Sequence, residues 1–418
     1  MNPTKVLLVV AFVPKQLIFP NSTKSGLLKK EGNFMRKAFI CPTKYVQGPD
    51  EILNLGYFVK SFGDSALLIA RPDDIARVKD KLDATQKKFG VTFVEGNFGG
   101  ECSRQEVARL KEVSAANKCS CTIGLGGGKA IDTAKCVAEG DNVIIVPTIA
   151  ATDAPTSHSA VLYTPDGAFD DYAYFKQSPS VVLVDLTCIA NAPTRFLVSG
   201  MGDAISTYFE ARATAASYSN VNAGLPCGAK VPGTENGACE SAKGTKAALA
   251  LAKLCYETLL ADGEMAKISC DNNQVTTALE NIVEANILLS GLGFESAGLG
   301  GAHAIHDGLT ILAGSHHYYH GEKVAFGTIA QLVLENAPKE ELEEVIRFNL
   351  TVGLPVCLAD IGVNTITTEE LLQVAEKTCI PEESVHAMPF PVDVQSVAAA
   401  IATADAIGTH YKRLWGAK

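Results

Sequence analysis

Along the first part of the chain, short apolar runs alternate with longer amphipathic stretches. The runs SALLIA (65–70), VTFVEG (91–96), CTIGLG (121–126), NVIIVPT (142–148) and SVVLVDL (180–186) read as buried strands. Between them, Asp73–Phe89 and Arg104–Asn117 carry apolar residues at helical spacing. Strand alternating with helix predicts a parallel, Rossmann-like sheet with helices on both faces and ligands at the carboxyl ends of the strands. After Pro193 the pattern changes. MGDAISTYFEARATAA, TKAALALAKLCYETLLADG, TALENIVEANILLSGLG and GEKVAFGTIAQLVLEN are long helical patterns with hardly a strand among them. The fold expected is an α/β N-terminal domain followed by an all-α C-terminal domain.

Length agrees with that division, because 418 residues exceed what one core usually serves. The expected boundaries are 35–192 for the α/β domain and 193–418 for the helical one. Residues 1–34 stand apart as an extension, either a leader for an organelle or a disordered segment. Their apolar run KVLLVVAFV is too short to span a bilayer, and Met35 opens the pattern that reads as a folded domain. The segment NAGLPCGAKVPGTENGACESAKG (222–244) is rich in Gly, Pro and polar residues and is expected to be an exposed loop.

A formal net charge of −10 disfavours nucleic acid and anionic membrane as partners, which leaves a small molecule. The twelve cysteines are mostly scattered singly through apolar segments, and no CxxC occurs. Reduced, buried thiols in a cytoplasmic protein are the expectation.

TIGLGGGKAIDTAK (122–135) is a buried strand, then Gly124, Gly126, Gly127 and Gly128, then a helix starting near Lys129. Glycines at such a joint let the backbone approach a phosphate, and the helix start offers free N–H groups. Lys129 can add a charge-assisted contact. Neither the P-loop spacing nor GxGxxG is present, so the loop alone does not specify its ligand. VPTIAATDAPTSHSAVLYTPDG (146–167) follows the next strand as an irregular segment dense in hydroxyls, suited either to a polar ligand or to capping a helix.

Five of the eight histidines fall in one stretch, HAIHDGLTILAGSHHYYHG: His303, His306, His316, His317 and His320. His303 and His306 share a helix face, and His320 opens the next helix. Two imidazoles and a carboxylate would leave a zinc ion an open position for substrate. Asp203, placed in the first turn of an otherwise apolar helix, is the candidate carboxylate, with helix capping as its alternative role.

Taken together, these segments resemble the glycerol dehydrogenases, a branch of the iron-containing alcohol dehydrogenase superfamily. The resemblance runs through FICPTKYVQG, FGGECSRQE, GLGGGK, PTIAATDAPTS, GMGDA, LSGLGFESAGLGGAHAIHDG, YYHGEKVAFGT and AEKTC, across essentially all of 35–418. It implies a dehydroquinate synthase-like architecture, a homo-oligomer, and reversible NAD-linked oxidation of glycerol to dihydroxyacetone with zinc as the metal. It implies Asp203, His303 and His320 as ligands, excluding His316 and His317. By the same match Gly126, Gly127, Gly128 and Lys129 form the pyrophosphate loop, and Thr148, Ser157, Ser159 and Tyr163 line the cofactor site. Asp153 stands beside the substrate, and His306 stands behind the ligands as a supporting or proton-relay group.

Four departures qualify the match. Arg71 replaces the aspartate that grips the adenosine ribose in relatives, which opens the way to NADP; Asp73 is a substitute carboxylate. Ala151 replaces a serine, His158 and Ser159 replace small and apolar residues, and the 222–244 loop is long. A related 1,2-diol or polyol dehydrogenase, NADP-linked in one version, is the alternative substrate reading. A dehydroquinate synthase-like lyase would need clustered cations in the cleft, where only Lys129 and Lys323 are found.

Overall fold

Six strands form one wholly parallel sheet, five of them at the apolar runs that predict strands. With β1 at Lys44–Gly48, β2 at Ser65–Ile69, β3 at Thr92–Glu95, β4 at Cys121–Gly126, β5 at Val143–Pro147, β6 at Ser159–Tyr163, β7 at Phe169–Tyr174 and β8 at Val181–Asp185, the order is β1-β8-β5-β4-β2-β3. The computed structural model describes residues 36–224 and 242–416. The segment 1–34 and most of the expected 222–244 loop lie outside the described residues.

Strand side chains alternate between two cores, which is why the central strands carry no polar face. Leu68, Ile123, Ile144 and Leu183 pack on one face under α1 (Leu55–Lys60) and α2 (Pro72–Phe89). Leu67, Ile69, Ile145 and Val182 point to the other face, under α3 (Arg104–Ala116) and α4 (Gly128–Ala138). That second core continues without a break into the helical part. After α5 (Leu186–Ala190) come α6 (Thr194–Ser217), α7 (Lys246–Asp271), α8 (Thr277–Glu284), α9 (Ser290–Ala297), α10 (Gly301–Leu309) and α11 (His320–Leu334). α12 (Lys339–Val352), α13 (Thr368–Thr378) and α14 (Val394–Trp415) complete the chain. Residues from Arg36 onward form one compact unit, and no described helix is long and apolar enough to cross a membrane.

Two elements differ from expectation. β1, KYVQG, has too few apolar residues to read as a buried run, because it sits at the sheet edge with mostly half-exposed residues. The hydroxyl-rich segment is without strand only as far as His158; beyond it β6 pairs antiparallel with β7 in a separate two-stranded sheet. Its burial alternates residue by residue along SAVLY, as in a strand with one covered face.

Candidate active site

The glycine loop stands where the sheet ends. Gly126 is in register with Pro147 of β5, and the Thr148 N–H donates to the Gly126 carbonyl at 3.0 Å. This brings the loop after β5 alongside the start of α4. Gly126 has φ +148°, and a Cβ there would lie 3.0 Å from Ala130 Cβ. Gly127 caps α4 without a side chain, so the N-cap residue makes no side-chain hydrogen bond to the first N–H groups of the helix. Lys129 ion-pairs with Glu101 at 2.6 Å and lies 4.9 Å from the centre of the Tyr163 ring. Burial pushes the Tyr163 phenol up to about 12.

The loop that carries Asp153 is held from beneath by Lys135 of α4, the largest fully buried side chain among the described residues. Its ammonium donates to the Ala154 carbonyl (2.6 Å), Ser157 Oγ (2.8 Å), the Ser159 carbonyl (2.9 Å) and Asp132 (3.2 Å). The Ser157 hydroxyl is thus spent inside the protein, and Ser159 contributes its carbonyl to the same network. From above, Asn286 Nδ2 donates to the Ala150 and Leu197 carbonyls, and Ser290 Oγ donates to Asp153 Oδ2 at 2.6 Å. Asn286 lies in a π-helical turn, Ala285–Leu289, between α8 and α9, and Ser290 follows it directly. Burial, then the nearby Asp203 charge, raises the Asp153 carboxyl well above the usual carboxylate range. His158 is buried against Glu295, which pairs with its Nδ1.

Asp203 lies in the middle of α6, which begins at Thr194, and not in a first turn. Helix capping is therefore excluded for it. Gly200 and Gly202, which look like the end of a loop in sequence, are packing residues. A Cβ on Gly200 would fall 2.0 Å from the Ala150 carbonyl oxygen, and one on Gly202 would fall 2.4 Å from the Gly321 carbonyl oxygen. From the other side, a Cβ on Gly321 would fall 1.8 Å from the Ser199 carbonyl oxygen. Bare backbone on both helices lets the start of α11 touch α6, which sets His320 beside Asp203. Arg195 fixes that start further, donating to both carboxylate oxygens of Glu322 while Glu322 accepts from the Tyr319 N–H.

His303 Nε2 lies 3.3 Å and His320 Nε2 3.2 Å from the same oxygen, Asp203 Oδ1. The ligand atoms of all three residues fall within 4.8 Å of one another. Neither oxygen of Asp203, a residue only 2% exposed, has a normal hydrogen bond. Atoms bound to one tetrahedral ion at about 2.0–2.1 Å stand about 3.3–3.4 Å apart, so the two separations from Asp203 Oδ1 suit a shared cation. The two imidazoles outweigh burial and hold the Asp203 carboxyl below its ordinary range, ready to serve as an anionic ligand.

Two further residues complete the constellation. Glu210, two turns along α6 from Asp203, accepts from His303 Nδ1 at 2.7 Å and from the Gly300 and His303 N–H groups. It fixes the tautomer that aims Nε2 at Asp203. His306 Nε2 meets His320 Nδ1 at 3.1 Å, and its Nδ1 meets Asp307 Oδ1 at 2.9 Å. Burial and the adjacent His320 push His306 down to about 4, so it is neutral and accepts from His320 while donating to Asp307. Sequence reading passed over Glu210, Asp307 and Lys135. Only for Glu210 did a signal exist, its seven-residue spacing from Asp203 on one helix face.

His316 and His317 are exposed on the connecting turn. The former meets the Thr310 carbonyl at 2.9 Å, and the carbonyl of the latter accepts from Arg195. Arg71 caps α2 with an exposed side chain. Gly127, Gly128, Thr152, Ser199 and His320 all line one cavity of about 180 Å³, so the glycine loop and a candidate ligand face the same space. All ten described cysteines are free thiols.

Comparison with known proteins agrees with this layout. The family model described as iron-containing alcohol dehydrogenase matches residues 42–186. The chain is 45% identical to the glycerol dehydrogenase of Citrobacter freundii over 379 residues, covering 90% of this chain and 99% of that protein. The solved glycerol dehydrogenase of Schizosaccharomyces pombe superposes with a TM-score of 0.84 at 36% identity, covering 92% of this chain and 94% of that one. A probable glycerol dehydrogenase of Sinorhizobium meliloti gives 0.77 at 40% identity, covering 90% and 99%.

Proposed function

Since the chain belongs to the iron-containing alcohol dehydrogenase family, in its glycerol dehydrogenase branch, we propose that it oxidises glycerol reversibly to dihydroxyacetone. The hydrogen on the central carbon leaves as hydride to NAD, and the hydroxyl proton is released. The observation that carries this reading is the convergence of Asp203, His303 and His320 on a cavity also lined by the glycine loop. In this reading residues 35–192 hold the dinucleotide and residues 193–418 hold the metal.

Zinc held by Asp203, His303 Nε2 and His320 Nε2 would supply Lewis acidity, lowering the pKa of a substrate hydroxyl. Everything else is the work of this chain's own residues. Gly126, Gly127 and Gly128 let the pyrophosphate reach the start of α4, with Lys129 and Tyr163 at its rim and Thr148 fixing the loop from behind. Ser157 and Ser159 act through Lys135, which sets the height of the Asp153 loop. Asp153, steadied through Oδ2 by Ser290, is left with Oδ1 to hold a substrate hydroxyl and exchange its proton. His306 keeps the His320 ring in the tautomer that presents Nε2, passing the hydrogen bond on to Asp307.

The test is an assay of the full chain with glycerol, 1,2-propanediol and 2,3-butanediol before and after metal removal and zinc return. Activity should vanish on chelation and come back with zinc. His303→Ala and His320→Ala should abolish it, whereas His316→Ala and His317→Ala should keep most of it. Full activity without metal would end the proposal.

A further inference from the structure

A dinucleotide-binding sheet reads the adenosine ribose from the strand beside the glycine loop, with a carboxylate for free hydroxyls or an arginine for a 2′-phosphate. Here that neighbour is β2, in register with β4 from Ala66 against Cys121 to Ile69 against Gly124. Two residues past the end of β2 stands Arg71, which by itself favours the phosphorylated cofactor. Its side chain points elsewhere. One guanidinium nitrogen lies 3.3 Å from where a Cβ of Gly100 would stand, in the loop after β3.

A different side chain faces the glycines. Asp74, in the first turn of α2, is nearly buried, with 12% of its side chain exposed. Its Oδ1 pairs with Arg77 Nη2. Its Oδ2 lies 3.5 Å from where a Cβ of Gly126 would stand, across bare backbone. This puts the carboxylate over the carboxyl ends of the central strands rather than out on the flank of α2. Arg77 occupies one oxygen and leaves the other to accept.

Resting on the dehydrogenase reading above, we propose that Asp74 is the residue that reads the adenosine ribose. Its Oδ2 accepts from the free ribose hydroxyls and repels a 2′-phosphate, so the chain selects NAD although Arg71 stands where an acid is expected. Asp73, the substitute suggested by sequence, is not the one that faces the loop. The specificity residue has moved one helical turn along α2, and Arg77 keeps its carboxylate in place.

The test reads binding without turnover. NADH and NADPH are titrated into the full-length protein by nicotinamide fluorescence, and ADP-ribose with its 2′-phosphorylated counterpart by calorimetry. NADH and ADP-ribose should bind at least about 10-fold more tightly than their phosphorylated forms. Asp74→Asn should weaken NADH by about 10- to 100-fold, the scale of a hydrogen bond to a charged group, and change NADPH by less than about 3-fold. Arg77→Gln breaks the same ion pair but keeps the carboxylate, so it should keep the preference for NADH. Equal losses in both variants would reduce Asp74 to a structural partner and overturn the proposal. So would tighter binding of NADPH that Arg71→Ala abolishes. Failure to bind either dinucleotide would sink the dehydrogenase reading as well, whereas binding that ignores Asp74→Asn would sink this inference alone.

Discussion

Gly321→Ala tests how the candidate metal site is assembled, because it replaces no ligand and alters no ligand side chain. The added Cβ would stand 1.8 Å from the Ser199 carbonyl oxygen and 2.8 Å from the Asp203 nitrogen. Carbon and carbonyl oxygen ordinarily approach no closer than about 3.3 Å, so the start of α11 must withdraw from α6 by about 1.5 Å. His320 is the residue before Gly321 and moves with it. A separation of 3.2 Å between His320 Nε2 and Asp203 Oδ1 then opens past the roughly 3.4 Å that one tetrahedral ion can bridge. Alanine gains about 1 kcal/mol of helix propensity over glycine, which acts in the opposite direction and is too small to close the gap. Metal affinity should fall by about 100-fold, with a comparable loss of kcat. Competition with a chromogenic chelator measures the first, and circular dichroism confirms the fold. Gly128→Ala, where an added Cβ meets nothing within 4 Å, should keep the native metal affinity. A folded Gly321→Ala protein that binds metal as tightly as the parent would refute the packing argument.

Three more outcomes follow from the same contacts. Glu210→Gln should lower metal affinity by about 10- to 100-fold, since an amide holds the His303 tautomer less firmly; unchanged affinity in the chelator competition would remove Glu210 from the site. Lys135→Met leaves Asp132 buried without its cation and should cost about 3–5 kcal/mol in urea unfolding; a cost under about 1 kcal/mol would show that the Asp153 loop does not depend on it. Burial, then Asp307, pushes the Glu383 carboxyl from 4.5 up to about 7, so the folded chain takes this proton more readily than the unfolded one and stability is lost as pH rises through that interval. Glu383→Gln should therefore raise Tm at pH 8 and leave it unchanged near pH 4; equal shifts at both would contradict the assignment.

How much of this was legible in the sequence depends on the range of the interaction. The central strands were readable because each is apolar on both faces, a property of a few consecutive residues. The spacing of His303 and His306 was readable for the same reason. Asp203 was misplaced along its helix because Gly200 and Gly202 look locally like a helix boundary. Their purpose appears only with the Ala150 loop and Gly321 packed against them. β6 hid behind its hydroxyl-rich approach and has no partner in the main sheet. Lys135 gave no signal, because an ammonium bonded to two distant carbonyls looks in sequence like any helical lysine. The orientation of Asp74 towards Gly126, on which the proposed ribose contact rests, was invisible as well, since it depends on which way the first turn of α2 faces.

The core shared by the sheet and the helical part has a thermodynamic consequence. Ile131 and Ala134 of α4 lie in the same buried cluster as Ile205 and Phe209 of α6 and Ile305 of α10. The helix whose start faces the glycine loop and the helices that bear Asp203 and His303 are thus parts of one cooperative block. Any ligand that binds only the folded chain adds its free energy to the whole block, wherever it sits. Dinucleotide should therefore slow the exchange of amide hydrogens around His303, and metal should protect the strands below the glycine loop. Occupancy at one end would be registered as rigidity at the other, without either part changing shape.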